Sequence, residues 1–115
     1  MSKIFENSFL VNSFHAVNKN TGTVYEAASD GYISVKAGDV IVFESPYVDG
    51  EYVSLNTIEV FTKDTPFKAL INPGDNRGLY PMYVKENSQK GIQYMRIDSI
   101  TMECDCDFYY EGLST

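Results

Sequence analysis

At 115 residues, with 43% hydrophobic and 14% aromatic residues, the chain suffices for one domain with an ordinary core and is far from the composition of a disordered polymer. Nine basic against sixteen acidic residues give a net charge of -7 without any Lys/Arg cluster, which argues against duplex nucleic acid and against an anionic membrane surface as partners. Two cysteines cannot frame a disulfide-rich secreted miniprotein.

No apolar run approaches the ~20 residues of a membrane-spanning helix. Glu6 and scattered polar residues interrupt the N-terminal stretch where a secretory signal would need an apolar run. Synthesis and use in a cytoplasm are therefore expected. Nine Tyr and seven Phe with no Trp favour strands.

Residues 9–17 predict a first strand, with Phe9, Val11 and Val17 on one face and Leu10, Phe14 and Ala16 on the other. A turn cluster at 19–22 leads to a second strand over 23–28, with Val24 in its apolar register. Residues 31–44 form the best-specified stretch. Ile33 and Val35 alternate with Tyr32 and Ser34, a turn follows at 36–39, and Val40, Ile41, Val42 and Phe43 are apolar on both faces. That pattern predicts a hairpin whose second strand is central and covered on both sides. Gly38 supplies the turn's positive φ, and Asp39 can accept from nearby backbone amides.

Residues 46–50 read as loop, since Pro46 cannot donate to a ladder. Residues 56–62 read as a strand with Ile58 and Val60 inward, 67–71 as a shorter element, and 72–78 as the densest turn cluster. Residues 79–84 then belong to a tyrosine-bearing excursion. Residues 93–99 place Met95 and Ile97 on one face. The apolar phase slips between Ile97 and Ile100, which calls for a bulge or a bend. Beyond it Met102, Cys104, Cys106, Phe108 and Tyr110 share one face, while Glu103, Asp105, Asp107, Tyr109 and Glu111 share a wet one. About eight short strands and no amphipathic helix predict a single domain over 1–115, an all-β, antiparallel, jelly-roll-like sandwich.

Catalytic signals are weak throughout. Cys104 and Cys106 would lie roughly 6.6 Å apart along a strand, with both thiols on the apolar face and the neighbouring carboxylates on the other, so they read as core residues. His15, the only histidine, sits at an alternate position of an apolar strand and reads as partly buried or interfacial. Asp49 with Glu51, or Asp64 with Asp75, could be drawn as a glycosidase pair or as calcium ligands, but no motif surrounds them. No phosphate loop, dinucleotide fingerprint or zinc spacing is present. The expectation is a non-enzymatic protein with no catalytic residue, metal or cofactor. The candidate contact residues are the loop tyrosines Tyr47, Tyr52, Tyr80 and Tyr83, whose flat faces and polar tips suit a protein interface or a sugar ring, and equally the capping of a sandwich end.

Residues 31–39 and the strand from Val40 to Phe43 resemble a pattern in jelly-roll modules of bacteriophage tail, baseplate and accessory virion proteins, modules that are similar to galactose-binding-like carbohydrate-binding domains. Residues 94–98 loosely resemble their late strand. The resemblance implies a structural or accessory virion protein made in the host cytoplasm: a capsid decoration, head fibre, collar or tail part. Its partners would be other virion proteins or further copies of itself, with neither nucleic acid nor membrane. The alternative it implies is a carbohydrate-binding module for host-surface glycans.

Overall fold

The computed structural model describes residues 9–10, 15–26, 31–44, 47–48, 51–52, 55–73 and 78–114. In chain order the strands are β1 (Phe9–Leu10), β2 (His15–Asn18), β3 (Val24–Glu26), β4 (Ile33–Val35), β5 (Val40–Glu44), β6 (Tyr47–Val48), β7 (Glu51–Tyr52), β8 (Leu55–Thr62), β9 (Phe67–Asn72), β10 (Tyr80–Val84), β11 (Gln89–Ile97), β12 (Ser99–Met102) and β13 (Cys106–Ser114). One sheet of five strands runs β1-β13-β8-β11, with β4 also on β13; a second of six runs β10-β9-β12-β5-β2-β3; β6 and β7 form a small ribbon. Every pairing among the described residues is antiparallel. The chain is an all-β antiparallel sandwich. The described residues form thirteen strands where about eight are expected from turn spacing, because several are only two or three residues long.

The core lies between the two large sheets. Ile58 and Val60 of β8 point inward as expected, and with Phe108 and Tyr110 of β13 they meet Ile41 and Phe43 of β5, Phe67 and Ile71 of β9, and Ile100 of β12. Two aromatic pairs join the sheets edge to face: Phe67 to Phe108 at 4.9 Å between centroids, and Phe43 to Tyr110 at 5.2 Å. Such pairs contribute about 0.5–1.5 kcal/mol beyond the area they bury.

Residues 31–44 do not form a hairpin. β4 pairs with β13 in the five-stranded sheet, whereas β5 lies between β12 and β2 in the other. The turn at 36–39 therefore bridges the sandwich, with Gly38 at φ 91°. Its backbone is tied to the end of β12, since Gly38 N donates to Met102 O and Met102 N to Asp39 O, both at 2.8 Å. β5 is a central strand, as its double-sided apolar pattern predicts.

The same crossing explains three other departures. Residues 9–17 divide between β1 and β2, which belong to different sheets; residues 11–14 lie outside the described positions. The phase slip after Ile97 is the point where β11 of one sheet gives way to β12 of the other. The long alternation from Met102 to Tyr110 is likewise two strands, β12 and β13, joined by bends at Glu103 and Cys104. Because both sheets face one core, the inward register survives the change of sheet. Val24 points away from the core and is half exposed; Tyr25 is the β3 side chain that packs inward.

Candidate functional site

Alternation along β5 sends Ile41 and Phe43 inward and leaves Val40 and Val42 on the outside of the six-stranded sheet. Cross-strand register continues this outer surface across the sheet, where half-buried apolar side chains are interspersed with Asn72, Thr101 and the buried Ser99. One row runs Asn72, Ser99, Val42, Val17, Val24, and the next runs Pro81, Leu70, Thr101, Val40. Three of the four large hydrophobic residues most exposed among the described positions belong to this sheet or its edge: Val24, Leu79 and Tyr83. Tyr83 lies opposite Lys68, whose Nζ sits 5.7 Å from the ring centroid. At the diagonally opposite corner His15 stands between Glu44 and Glu26, with Nε2 2.8 Å from Glu44 Oε1 and Nδ1 3.9 Å from Glu26 Oε1. One corner of this face is thus acidic, while at the other Lys68 is flanked by Glu103, whose N donates to Lys68 O at 2.8 Å.

The outside of the five-stranded sheet is different. Phe61 of β8 lies directly opposite Tyr109 of β13, with ring centroids 5.6 Å apart, and Tyr32 stands 6.0 Å beyond Tyr109. Lys63 Nζ lies 4.5 Å over the Tyr32 ring. Beside them an open cleft of about 400 Å³ is lined by Tyr32, Phe61, Thr62, Asn87, Ser88 and Gln89. Its wall is fixed to the sheet: Thr62 N donates to Ser88 O at 2.9 Å, Ser88 N to Thr62 Oγ1 at 3.1 Å, and Asn87 N to Lys63 O at 2.7 Å. One row away Glu59 lies opposite Glu111, a like-charge pairing that is unfavourable without further partners. Gln89 Nε2 donates to Glu59 at 3.3 Å and Tyr109 Oη to Glu111 at 3.0 Å. Burial, and then the Glu111 carboxylate, push the Tyr109 phenol above its ordinary range.

The four tyrosines singled out by sequence do not form one site. Tyr80 and Tyr83 are in the edge strand β10 and not in a loop. Three residues apart, they point to opposite faces, Tyr80 on the side of Met82 and Val84 and Tyr83 outward over Lys68. Tyr47 and Tyr52 face each other across the β6–β7 ribbon, which replaces the expected loop; their side chains lie outside the described residues. Tyr32, Phe61 and Tyr109, the aromatic residues that do cluster outward, each alternate with inward neighbours. Parity along β8 and β13 could have marked Phe61 and Tyr109.

The remaining candidates stay apart. Cys106 is buried and receives a 3.9 Å contact from Thr65 Oγ1, while half-buried Cys104 approaches Pro66 O at 3.5 Å. Burial is the main reason that the Cys106 thiol is pushed up to about 11, which makes it a poor nucleophile. His15 is half-buried, as expected, with glutamates as its neighbours. Asp49 and Asp75 lie outside the described residues. Among the described residues no three His, Cys, Asp or Glu side chains converge as metal ligands. Comparison with family models, curated proteins and solved structures gave no match.

Proposed function

We propose that this chain is a non-enzymatic accessory protein of a bacteriophage virion, a capsid decoration, head-fibre, collar or tail part, that docks through the outer face of its six-stranded sheet. The observation that carries this reading is the apolar surface running across that sheet from Val24 through Val17 and Val42 towards Leu70 and Pro81. Contiguous apolar surface of this kind marks an interaction site. On this face the carboxylates of Glu26, Glu44 and Glu103 outnumber the cations Lys19 and Lys68, so an anionic bilayer is a poor occupant. A protein surface fits better. The resemblance of residues 31–43 to phage jelly-roll modules supports the virion as the setting, where symmetry repeats a weak contact many times.

The test is retention on particles of the encoding phage through a density gradient. Wild-type chain should stay bound, and Val42→Lys, which alters only an outward side chain, should be lost while remaining folded. Loss of the wild type at the first gradient would sink the proposal.

The opposite face favours a second reading, saccharide binding. Tyr32, Phe61 and Tyr109 offer ring faces, and Asn87, Gln89, Glu59 and Glu111 offer amide and carboxylate partners for hydroxyls. A glycan array with no signal would remove this reading and leave the first untouched.

A further inference from the structure

The rings on the outside of the five-stranded sheet stand in file, and the file crosses the sheet from one edge to the other. Tyr32 lies directly before edge strand β4, Tyr109 and Phe61 face each other on the inner strands β13 and β8, and Gln89 opens edge strand β11 opposite Phe61. Successive ring centroids are 6.0 and 5.6 Å apart, a step close to the length of one pyranose unit in a linear chain. Both long sides are walled. On one stand Lys63 and the turn carrying Asn87 and Ser88; on the other stand Glu111 and Glu59. Opposite Glu59, β11 offers only Gly91, and nothing lies within 4 Å of the place its Cβ would take. The end residues, Tyr32 and Gln89, are exposed, so the groove is open at both ends.

We infer that the ligand of this face is a linear saccharide chain bound along its length across the strands, with one sugar at each of Tyr32, Tyr109 and Phe61, an inference that rests on the saccharide reading of the site. A pocket for a terminal sugar closes around one unit, whereas this groove sets three rings in file between two open ends. Each ring gives a sugar an apolar surface to stack on. The Asn87 and Gln89 amides and the Glu59 and Glu111 carboxylates meet hydroxyls along the walls. The missing side chain at Gly91 lets the ligand approach Glu59 from the edge of the sheet. Both signs of charge border the groove, Glu59, Glu111 and Asp107 against Lys63, so chain length and not charge defines the ligand. The Lys63 ammonium, 4.5 Å over the Tyr32 ring, is held there by a weak contact at an exposed ring and gives way to the third sugar.

The test is an array of linear gluco-, xylo-, manno- and galacto-oligosaccharides of one to six units beside branched sialylated and fucosylated termini, followed by calorimetry on a length series of the positive chains. Linear chains of three or more units should give signal. Affinity should rise roughly tenfold with each unit up to the third and level off beyond it. Tyr32→Ala, with far-UV circular dichroism to confirm that it folds, should lower the affinity of a three-unit chain to that of a two-unit chain. The two-unit chain itself should stay within about twofold of its wild-type affinity. A signal confined to branched termini, or an affinity that stops rising after the first unit, would mean a terminal-sugar site; the chain falls and the saccharide reading stands. A length series that Tyr32→Ala leaves unchanged would overturn the alignment along these rings. An array with no signal removes both.

Discussion

Asn18 and Asp39, 21 positions apart in sequence, are joined by a buried hydrogen bond of 2.8 Å from Asn18 Nδ2 to Asp39 Oδ2. The same carboxylate oxygen accepts from Lys36 N at 3.0 Å, and Asp39 Oδ1 accepts from Asn20 Nδ2 at 3.2 Å. Asn18 Oδ1 in turn holds the backbone amides of Asn20 and Thr21. Two turns, one after β2 and one between β4 and β5, are thus fastened by one polar cluster. Asp39→Ala would leave the Asn18 amide buried and short of a partner. The expected loss is on the order of 2 kcal/mol, read from urea unfolding at neutral pH.

That cluster also sets an acid limit. The Lys36 amide first, and the Asn18 and Asn20 side chains after it, hold the Asp39 carboxyl below its ordinary value of 3.8. A carboxyl whose folded value is depressed contributes stability that is fully present above the unfolded value and lost as pH falls through the folded one. Wild type should therefore lose stability below about pH 4, and Asp39→Asn should remove part of that dependence. Equal slopes for the two proteins between pH 5 and pH 2.5, or roughly that window, would count against Asp39 as a source.

Gly38 permits a separate test of the bridging turn. Its φ of 91° lies in the region that side chains avoid, yet nothing stands within 4 Å of the position a Cβ would take. Gly38→Ala should consequently cost conformational strain without a clash, about 1–2 kcal/mol. Unchanged unfolding would mean that the turn adapts.

Local alternation revealed much of this fold, but strand partners did not follow from it. Ile58, Val60, Phe108 and Tyr110 face the core where period two places them. The hairpin expected at residues 31–44 fails because β4 finds its partner at Cys106–Phe108, about seventy residues on, and no local signal encodes that choice. The candidate surfaces were half legible. Val40 and Val42 stand out in sequence as residues needing cover, whereas the corner positions of Lys68 and Glu44 depend on register between strands distant in the chain. Tyr80 and Tyr83 read as loop residues because they follow the dense turn cluster at 72–78, but they lie in an edge strand, where Pro81 is tolerated.

Cys106 should be silent in the native protein. In a Cys104→Ser background, alkylation by iodoacetamide at pH 8 should be slow, since burial keeps the thiol protonated. Adding denaturant should raise the rate at least tenfold, towards that of an unfolded thiol. Rapid labelling of the native chain would contradict the burial that places this residue against the core.

The aromatic face of the five-stranded sheet gives the sharpest division between ligand contact and stability. Tyr32 is 38% exposed, so Tyr32→Ala should change stability by less than about 1 kcal/mol. Phe108→Ala, which removes a buried ring from between the sheets, should cost about 3–5 kcal/mol. If a saccharide stacks beside Tyr109, Tyr32→Ala should weaken it roughly tenfold, a change of ~1.4 kcal/mol. Gln89→Ala should weaken it less, because that amide already serves Glu59. Titration of an array-positive glycan by calorimetry checks both. An affinity that Tyr32→Ala leaves intact would place any sugar away from this cleft, while equal losses of affinity and stability would show that Tyr32 supports the sheet and does not touch the ligand.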